Sequence, residues 1–220
     1  MSETLTLFSL PLFPLGTVLY PGGLLNLRIF EVRYLDMIGK CHKTGAPFGV
    51  VALTEGSEVR TPQTKIATGD GFAHEDFNKV GTLATITGFS VPQPGLMVIR
   101  CEGTKRFEIS QREKLKHGLW IAHVECLEDD QSVKIPDDLQ GTAETLRKLI
   151  KTLQERGGVS AEHMPLRAPY RLDDCGWVAN RWCELLPMPS ELKQRLMKLD
   201  NPLLRLELIS DILERTGISG

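Results

Sequence analysis

The segment LLNLRIFEVRYLDMIGKC, residues 24–41, contains the change of pattern that decides the fold. In its first part, Leu25, Leu27 and Ile29 are apolar at a period of two residues, which predicts a β-strand. Over residues 31–40 the apolar positions recur at helical spacing instead, which predicts a single helix. The chain therefore passes directly from a strand into a helix near its N-terminus.

The remainder of the first 126 residues has the pattern of strands separated by turns, with β-branched and aromatic residues in the apolar runs. The segment PQPG, residues 92–95, predicts a hairpin turn, because proline fixes φ and glycine tolerates positive φ. At Glu102-Gly103 a tight turn and a bulge both remain open. The polar stretch 54–80 predicts a long connection, which is typical of functional or mobile loops.

After residue 126 the pattern is helical to the end of the chain. Apolar stripes predict helices over about residues 138–156, 172–186 and 190–199. Asn201-Pro202 predicts the start of a fourth, because asparagine is a good N-cap and proline suits the first helical position. We therefore expect an α+β protein, with a β-barrel subdomain over residues 1–126 and an α-helical subdomain over residues 127–220.

Several blocks follow one another in a characteristic order along the chain. They are LPLFPL (10–15), PG (21–22), LLNLRIFE (24–31), FGVV (48–51), GTLATI (81–86), GTKRF (103–107), LLP (185–187), KQ (193–194) and LLRL (203–206). In this order the blocks resemble the N-terminal, substrate-binding domain of Lon proteases. The resemblance covers nearly the whole chain.

The resemblance implies a PUA-like β pseudo-barrel with one embedded helix, followed by a helical bundle. It also implies a non-enzymatic module that binds unfolded or apolar polypeptide segments or a protein partner, since this region of Lon helps to recognise substrates. In full Lon proteases an ATPase and a peptidase follow. The phosphate-loop motif G-x-x-x-x-G-K-[ST] has no match in this sequence, so we expect no nucleotide site, no cofactor and no enzymatic activity.

Composition supports a globular protein of ordinary charge. The 220 residues include 26 basic and 28 acidic side chains, a net charge of -2, which argues against bulk nucleic-acid binding. The uncharged stretch 4–27 contains prolines and glycines that would break a membrane helix, and no basic residue precedes it. We expect a cytoplasmic protein with no membrane partner, whose five cysteines are buried thiols.

No group of residues predicts catalysis or metal binding. Cys175 follows Asp173-Asp174, and neighbouring carboxylates would raise the pKa of a thiol and oppose the reactive thiolate. Its position on an apolar helical stripe favours a place in the core. The cluster His74-Glu75-Asp76 has no second cluster to complete a cation site.

Three aromatic residues are candidates for peptide binding. Phe72 and Phe77 lie in the long polar connection, where exposed rings would suit contact with apolar peptides, although burial against the barrel is the alternative. Trp177 lies about 140° around its predicted helix from Trp182, so both rings cannot face one core. For these two tryptophans, simple packing of both rings is the alternative.

The competing hypothesis is RNA binding, because PUA-like barrels also occur in RNA-associated proteins. The candidate residues are Arg106, Arg112, Lys114 and Lys116, which alternation would send to one side of a continuous strand. A solvated charged face explains the same pattern equally well. The sequence predicts that nucleic acid is the less favoured partner.

Overall fold

The computed structural model describes residues 5–58, 74–155 and 164–218. The chain divides into an N-terminal unit, Met1–Glu128, and a C-terminal unit, Asp129–Gly220. The elements of the N-terminal unit are β1 (Thr6–Leu15), β2 (Leu24–Ile29), α1 (Val32–Thr44), β3 (Phe48–Glu55), β4 (Asp76–Phe77), β5 (Val80–Gln93), β6 (Leu96–Lys114) and β7 (Trp120–Cys126).

The strands of the N-terminal unit pair in the order β1-β7-β6-β5-β3-β4, and β2 pairs with β6. β1 also pairs with β3 in parallel, with Leu12 opposite Gly49, so the path closes on itself as a pseudo-barrel. The other pairings are antiparallel. Closure leaves β1 without a free edge, which removes a site for edge-to-edge association. The predicted pseudo-barrel with one embedded helix is confirmed.

Alternation along β1 feeds two apolar clusters. Leu12 belongs to a cluster with Phe77 and Phe107, whereas its neighbour Phe13 belongs to a cluster with Tyr34 of α1. The Phe13 and Tyr34 rings stack with their centroids 4.0 Å apart. Successive side chains of a strand point to opposite faces, so one strand contributes to both clusters. Stacking on Phe13 holds the start of α1 against the barrel.

The hairpin and the bulge occur where the sequence allowed them. β5 and β6 form an antiparallel pair that turns at Pro94-Gly95, and Gly95 has φ +79°. The strand continues through Gly103, and the register shift beside it is a bulge. A Cβ on Gly103 would lie 2.2 Å from the carbonyl oxygen of Tyr20, so only glycine fits this close approach.

The C-terminal unit contains a short 3-10 turn and four helices in its described residues. They are α2 (Gln140–Glu155), α3 (Cys175–Leu185), α4 (Ser190–Met197) and α5 (Pro202–Arg215), preceded by the 3-10 turn Asp137–Leu139. The cap at Asn201 is confirmed, since its side chain accepts hydrogen bonds from the N–H groups of Leu203 at 3.0 Å and Leu204 at 3.2 Å.

Helix α3 begins three residues later than its apolar pattern predicted. The Asp174 carboxylate accepts from the N–H of Trp177 at 2.8 Å, which fixes the N-cap at residue 174. Trp182 is buried and its indole N–H donates to the carbonyl of Thr142 at 3.1 Å, whereas Trp177 is partly exposed. The prediction that the two rings do not share one core is confirmed.

No helix within the described ranges combines the length and the apolar character needed to cross a membrane.

Candidate peptide-binding groove

An apolar groove lies between the first turns of α1 and the turn that joins β6 to β7. It has a volume of about 320 Å³. Val32 at its rim is 75% exposed, while Met37 of α1 and Leu119 of the turn are buried in its walls. We call this depression the α1 groove; its lining residues are Pro11, Val32, Arg33, Asp36, Met37, Lys40, Cys41, Leu115, His117 and Leu119.

A second, smaller depression of about 70 Å³ is lined in part by residues that directly precede those of the α1 groove in the chain. Phe30, which is 55% exposed, lines it together with Leu27 and the buried Phe13. Consecutive residues divide between the two depressions, since Phe30 and Glu31 line the small one while Val32 and Arg33 line the α1 groove. The Phe30–Arg33 segment therefore presents two exposed apolar side chains, one beside each depression.

Arg33 fixes the turn that forms the far wall of the α1 groove. Its Nη1 donates to the carbonyl oxygen of Gly118 at 2.9 Å. The turn itself is held by the N–H of Leu115, which donates to the carbonyl of Leu119 at 2.8 Å, and Gly118 adopts φ +88°. Because non-glycine residues rarely adopt this φ, the tight turn depends on glycine at this position. Leu115 and Leu119 are thereby held opposite α1.

The Arg33 guanidinium is surrounded by acidic groups. Its Nη1 lies 2.9 Å from Oε1 of Glu75 and its Nε lies 3.0 Å from Oε2 of Glu31, while the ring centroid of Tyr34 is 4.4 Å from its Cζ. Burial by itself lowers the pKa of Arg33. Interactions with Tyr34, Glu75 and Glu31 raise this pKa by more than burial lowers it, so the net shift is upward. Arg33 is therefore permanently charged.

One donor of Arg33 has no partner. Its Nη2 is buried and makes no hydrogen bond to any residue of the described part of the chain. The side chain as a whole is 3% exposed. A buried donor left unpaired costs about 1–3 kcal/mol, so native proteins rarely keep one without a reason.

The candidate peptide-binding aromatics lie elsewhere. Phe72 lies outside the described residues. Phe77 is 4% exposed and packs edge-on against Trp120 at 5.3 Å, so of the two alternatives burial against the barrel is the one found, and the ring is not open to a peptide. β4 pairing with β3 turns this part of the long connection onto the barrel, which buries the ring. Trp177 lies in the C-terminal unit beside Tyr170, with ring centroids 6.2 Å apart.

The candidate RNA-binding residues do not share one face. Arg106 is 5% exposed, whereas Arg112 is exposed and donates to Asp76 at 2.7 Å. The strand alternation is interrupted by a register shift between Ile109 and Gln111, so residues of equal parity on its two sides do not point the same way. The expectation of one continuous face is wrong for this reason.

The other two basic candidates lie near the end of β6. Lys114 is half-buried, with its Nζ 3.8 Å from Oε1 of Glu75 and 5.6 Å from the centroid of the Trp120 ring. Lys116 lies beyond the strand and is exposed. Whether any of these side chains contacts RNA stays a prediction.

The acidic residues and the cysteines considered above for metal binding and catalysis are ion-paired or buried. Glu75 and Asp76 pair with arginines, and within the described ranges no group of three His, Cys, Asp or Glu side chains could hold a metal ion. Burial, followed by the charge of Asp174, raises the pKa of the Cys175 thiol, and burial raises the pKa of Cys101 to about 12. All five cysteines are buried, as predicted.

The sequence reasoning missed the residues of the α1 groove. Val32 carries the one signal that could have revealed it, because this apolar residue lies outside the buried stripe of α1 formed by Tyr34, Met37, Ile38 and Cys41. The contacts of Arg33 gave no local signal, since Glu75 and Gly118 are 42 and 85 residues away in the chain.

A closed β pseudo-barrel with one embedded helix, followed in the chain by a helical unit, is the architecture of Lon-type N-terminal domains. The family model described as "ATP-dependent protease La (LON) substrate-binding domain" matches residues 9–215, so the chain belongs to this family. A comparison with curated proteins gave no match.

Two solved structures are similar to this chain. The Lon N-terminal domain protein from Xanthomonas campestris is 30% identical with a TM-score of 0.68, and the match covers 93% of this chain and 98% of that one. The N-terminal domain of the Mycobacterium avium complex Lon protease is 17% identical with a TM-score of 0.55, over 92% and 96% of the two chains. The second likeness concerns the fold alone.

Proposed function

We propose that this protein is a non-enzymatic module that binds apolar segments of unfolded polypeptides, and that the α1 groove is its binding surface. The observation that carries the proposal is Val32, an exposed valine above a groove whose walls include the buried Met37 and Leu119. Exposed apolar surface that rims a concave site is typical of interaction sites. Membership of a substrate-binding family of a protease supports a polypeptide as the occupant.

The dimensions of the two depressions favour single apolar side chains as the bound groups. The α1 groove, at about 320 Å³, is at the lower end of the range of about 300–1,000 Å³ for ligand pockets. The small depression beside Phe30 measures about 70 Å³. An extended segment that crosses the Phe30–Arg33 segment would place one apolar side chain in each depression.

The charges around the α1 groove favour an apolar over a strongly charged occupant. Asp36 and Lys40 both line it, one acidic and one basic. The other titratable lining residues are His117, Cys41 and Arg33, and Arg33 is ion-paired with Glu31 and Glu75. Opposite charges at the rim do not build a field of one sign that would attract a polyanion. Apolar contacts would therefore supply most of the binding free energy.

The test compares two valine variants in a binding assay. We expect Val32→Asp to weaken the binding of a labelled apolar peptide by at least about tenfold, because a carboxylate in an apolar contact must be desolvated. Aspartate in the first turn of α1 is favourable for the helix, so folding should be preserved. Fluorescence anisotropy with the peptide and with a permanently unfolded, reduced protein measures the change.

Val91→Asp is the matched control, because Val91 is 52% exposed in the β5–β6 hairpin and lines neither depression. It should bind like the unmodified protein. Equal affinities for both variants, or no binding of either probe by the unmodified protein, would overturn the proposal. If instead a labelled RNA bound at low salt and dissociated as salt rose, RNA binding would replace it.

A further inference from the structure

One edge of strand β2 is unpaired in the described part of the chain. β2 (Leu24–Ile29) pairs with β6 on one side, and no other described strand pairs with it. It is an edge strand although the barrel is closed, because β2 lies outside the path of strands that forms the closed barrel. An edge strand presents a row of unpaired N–H and C=O groups, with which another strand can pair.

The hydrogen bonds to β6 show how the main-chain groups of this segment are directed. The carbonyl of Gly23 accepts from the N–H of Gly103 at 2.9 Å, and the carbonyl of Leu25 accepts from the Cys101 thiol at 3.5 Å. Both carbonyls therefore point towards β6. Successive residues of a strand direct their main-chain groups to opposite edges, so every second residue of β2 directs them away from β6. These outward residues are Leu24, Asn26 and Arg28.

The outward main-chain groups have no partner among the described residues. No described strand pairs with this edge, and the N–H and C=O groups of Leu24, Asn26 and Arg28 make no hydrogen bond to a described turn or loop. Asn26 and Arg28 are exposed residues, so the edge is open to a ligand. The main chain of an extended polypeptide carries the same donors and acceptors at the same spacing, so it is complementary to this edge.

The side chains of β2 determine what kind of strand fits beside it. Leu25 and Leu27 pack against the cluster that contains Phe13, but they are only partly buried, whereas Asn26 and Arg28 on the opposite face are exposed. Each face of an added strand would continue the corresponding face of β2. A segment with apolar residues at alternate positions would therefore cover Leu25 and Leu27 and leave its polar residues in solvent.

A foreign segment fits this edge better than a second copy of β2. In an antiparallel pairing of two copies centred on Asn26, the second copy's Gly23 would lie opposite Ile29, and its Gly22 opposite Phe30. Ile29 and Phe30 line the small depression, and glycine brings no side chain to it. A polypeptide with apolar residues there can fill the depression and continue to Val32 at the rim of the α1 groove.

Resting on the proposed function, we propose that the bound polypeptide adds to β2 as an extra strand and continues past Phe30 to the α1 groove. Its main chain exchanges hydrogen bonds with Leu24, Asn26 and Arg28. In such strand addition, main-chain hydrogen bonds give affinity and alternate side chains give specificity. The substrate class is thus an extended segment with apolar residues at alternate positions, and without proline where its N–H must donate to β2.

The first experiment methylates single amide nitrogens of the peptide. The probe is a labelled peptide with a Leu-Thr-Leu-Thr-Leu cassette between serine and glycine residues, in which a slip by two residues leaves the same amides facing β2. Methylation of one alternate set of amides should weaken binding by about fivefold to tenfold, the size of one hydrogen bond, and the other set should change little. Either set supports the proposal, because the set that responds depends only on whether the added strand is parallel or antiparallel.

The variant Asn26→Pro links this alternation to β2. Proline removes the outward N–H of residue 26 and its ring obstructs the edge, while the main-chain bonds of Leu25 and Leu27 to β6 are kept. The unmethylated peptide should bind this variant at least about tenfold more weakly, and the alternation should disappear. Val91→Asp, in the exposed β5–β6 hairpin, is the control and should keep both the affinity and the alternation.

Hydrogen exchange gives an independent measurement if Asn26→Pro fails to fold by circular dichroism. The unmodified protein is labelled with ¹⁵N, and amide exchange is followed by NMR with and without the peptide. The exposed Asn26 and Arg28 amides should exchange at least about tenfold more slowly when the peptide is bound, because their protons are then hydrogen-bonded.

The outcomes separate this proposal from the one on which it rests. If Val32→Asp weakens binding while the methylated peptides show no alternation and the exchange of the β2 amides is unchanged, strand addition is wrong and the groove stands. If the alternation is present but Val32→Asp has no effect, the groove is wrong and strand addition stands. A dimer in sedimentation that Asn26→Pro converts to a monomer, with no change in affinity for the peptide, would assign the edge to a second copy and overturn the proposal.

Discussion

Two buried arginines, one in each unit, differ in how completely they are hydrogen-bonded. In the C-terminal unit, Arg205 is 1% exposed, and its Nε donates to the carbonyl of Leu196 at 3.0 Å. Its Nη1 donates to Asp130 at 2.5 Å and Asn180 at 2.9 Å, and its Nη2 to Asp130 at 3.2 Å and to the carbonyl of Leu199. Every nitrogen of Arg205 has a partner, whereas Arg33 leaves Nη2 without one.

This difference separates an arginine whose donors are all used within its unit from one that leaves a buried donor unused. Arg205 joins the start of the C-terminal unit at Asp130 to α3 and to the α4–α5 connection, so its donors are used within the unit. Arg33 likewise joins α1 to the β6–β7 turn, but it lines a groove and its buried Nη2 has no partner among the described residues. Removing each side chain should therefore change different measured quantities.

The largest expected effect is on stability, at Arg205. Arg205→Met should lower the free energy of unfolding by about 3–5 kcal/mol, because it removes the cation paired with the Asp130 carboxylate and the donors that Arg205 supplies to two main-chain carbonyls. Urea titration followed by circular dichroism measures the loss. Arg215→Met, at the exposed end of α5, is the control and should cost no more than about 1 kcal/mol. Equal losses for the two variants would contradict a structural role for Arg205.

A smaller effect is expected on binding, at the exposed apolar residue close to each arginine. Phe30→Ser should weaken binding of the apolar peptide by about threefold to tenfold, since it removes an exposed ring from the small depression. Leu204→Ser, next to Arg205 and 41% exposed, should leave the affinity unchanged. Anisotropy titrations of both variants test this. A larger loss for Leu204→Ser would move the binding surface to the C-terminal unit.

The sequence predicted the elements whose determinants are local. The hairpin turn at Pro94-Gly95 and the cap at Asn201 each depend on residues within a few positions, and both are confirmed. The packing of Phe77 depends on Trp120, which lies in another strand of the barrel, so the polar local context could not decide between exposure and burial of the ring. The α1 groove could not be predicted for the same reason, because the Arg33–Gly118 contact that joins its two walls spans 85 residues of the chain.

The same limit applies to the basic residues of β6. Strict alternation places Arg106 and Arg112 on one face, but a single register shift between them separates a buried side chain from an exposed one. No side chain from Ile109 to Gln111 predicts this register shift. A bulge depends on how a strand pairs with its partner strand, and the local sequence does not identify that partner.

The smallest effect is expected at a third arginine, Arg112, whose ion pair is exposed. The hydrogen bond from Arg112 to Asp76 lowers the pKa of that carboxyl. A depressed folded pKa gives stability that is fully present above the unfolded pKa of about 4 and is lost as pH falls through the folded value. Because both side chains are more than a third exposed, solvent screening limits the contribution to about 0.2–1 kcal/mol.

Urea titrations of the unmodified protein and of Arg112→Gln over a range of pH test this contribution. The difference in unfolding free energy between them should be constant above about pH 5 and should shrink as pH falls below the unfolded pKa of about 4. Packing of Arg112 on the Phe77 ring, at 4.7 Å, is present at every pH and so cancels from the change. High salt should reduce the pH-dependent part, because exposed charges are screened. A difference in unfolding free energy that grew on acidification, or that exceeded the loss at Arg205, would contradict this prediction. It would mean that the exposure of these arginines does not determine how much each contributes to stability.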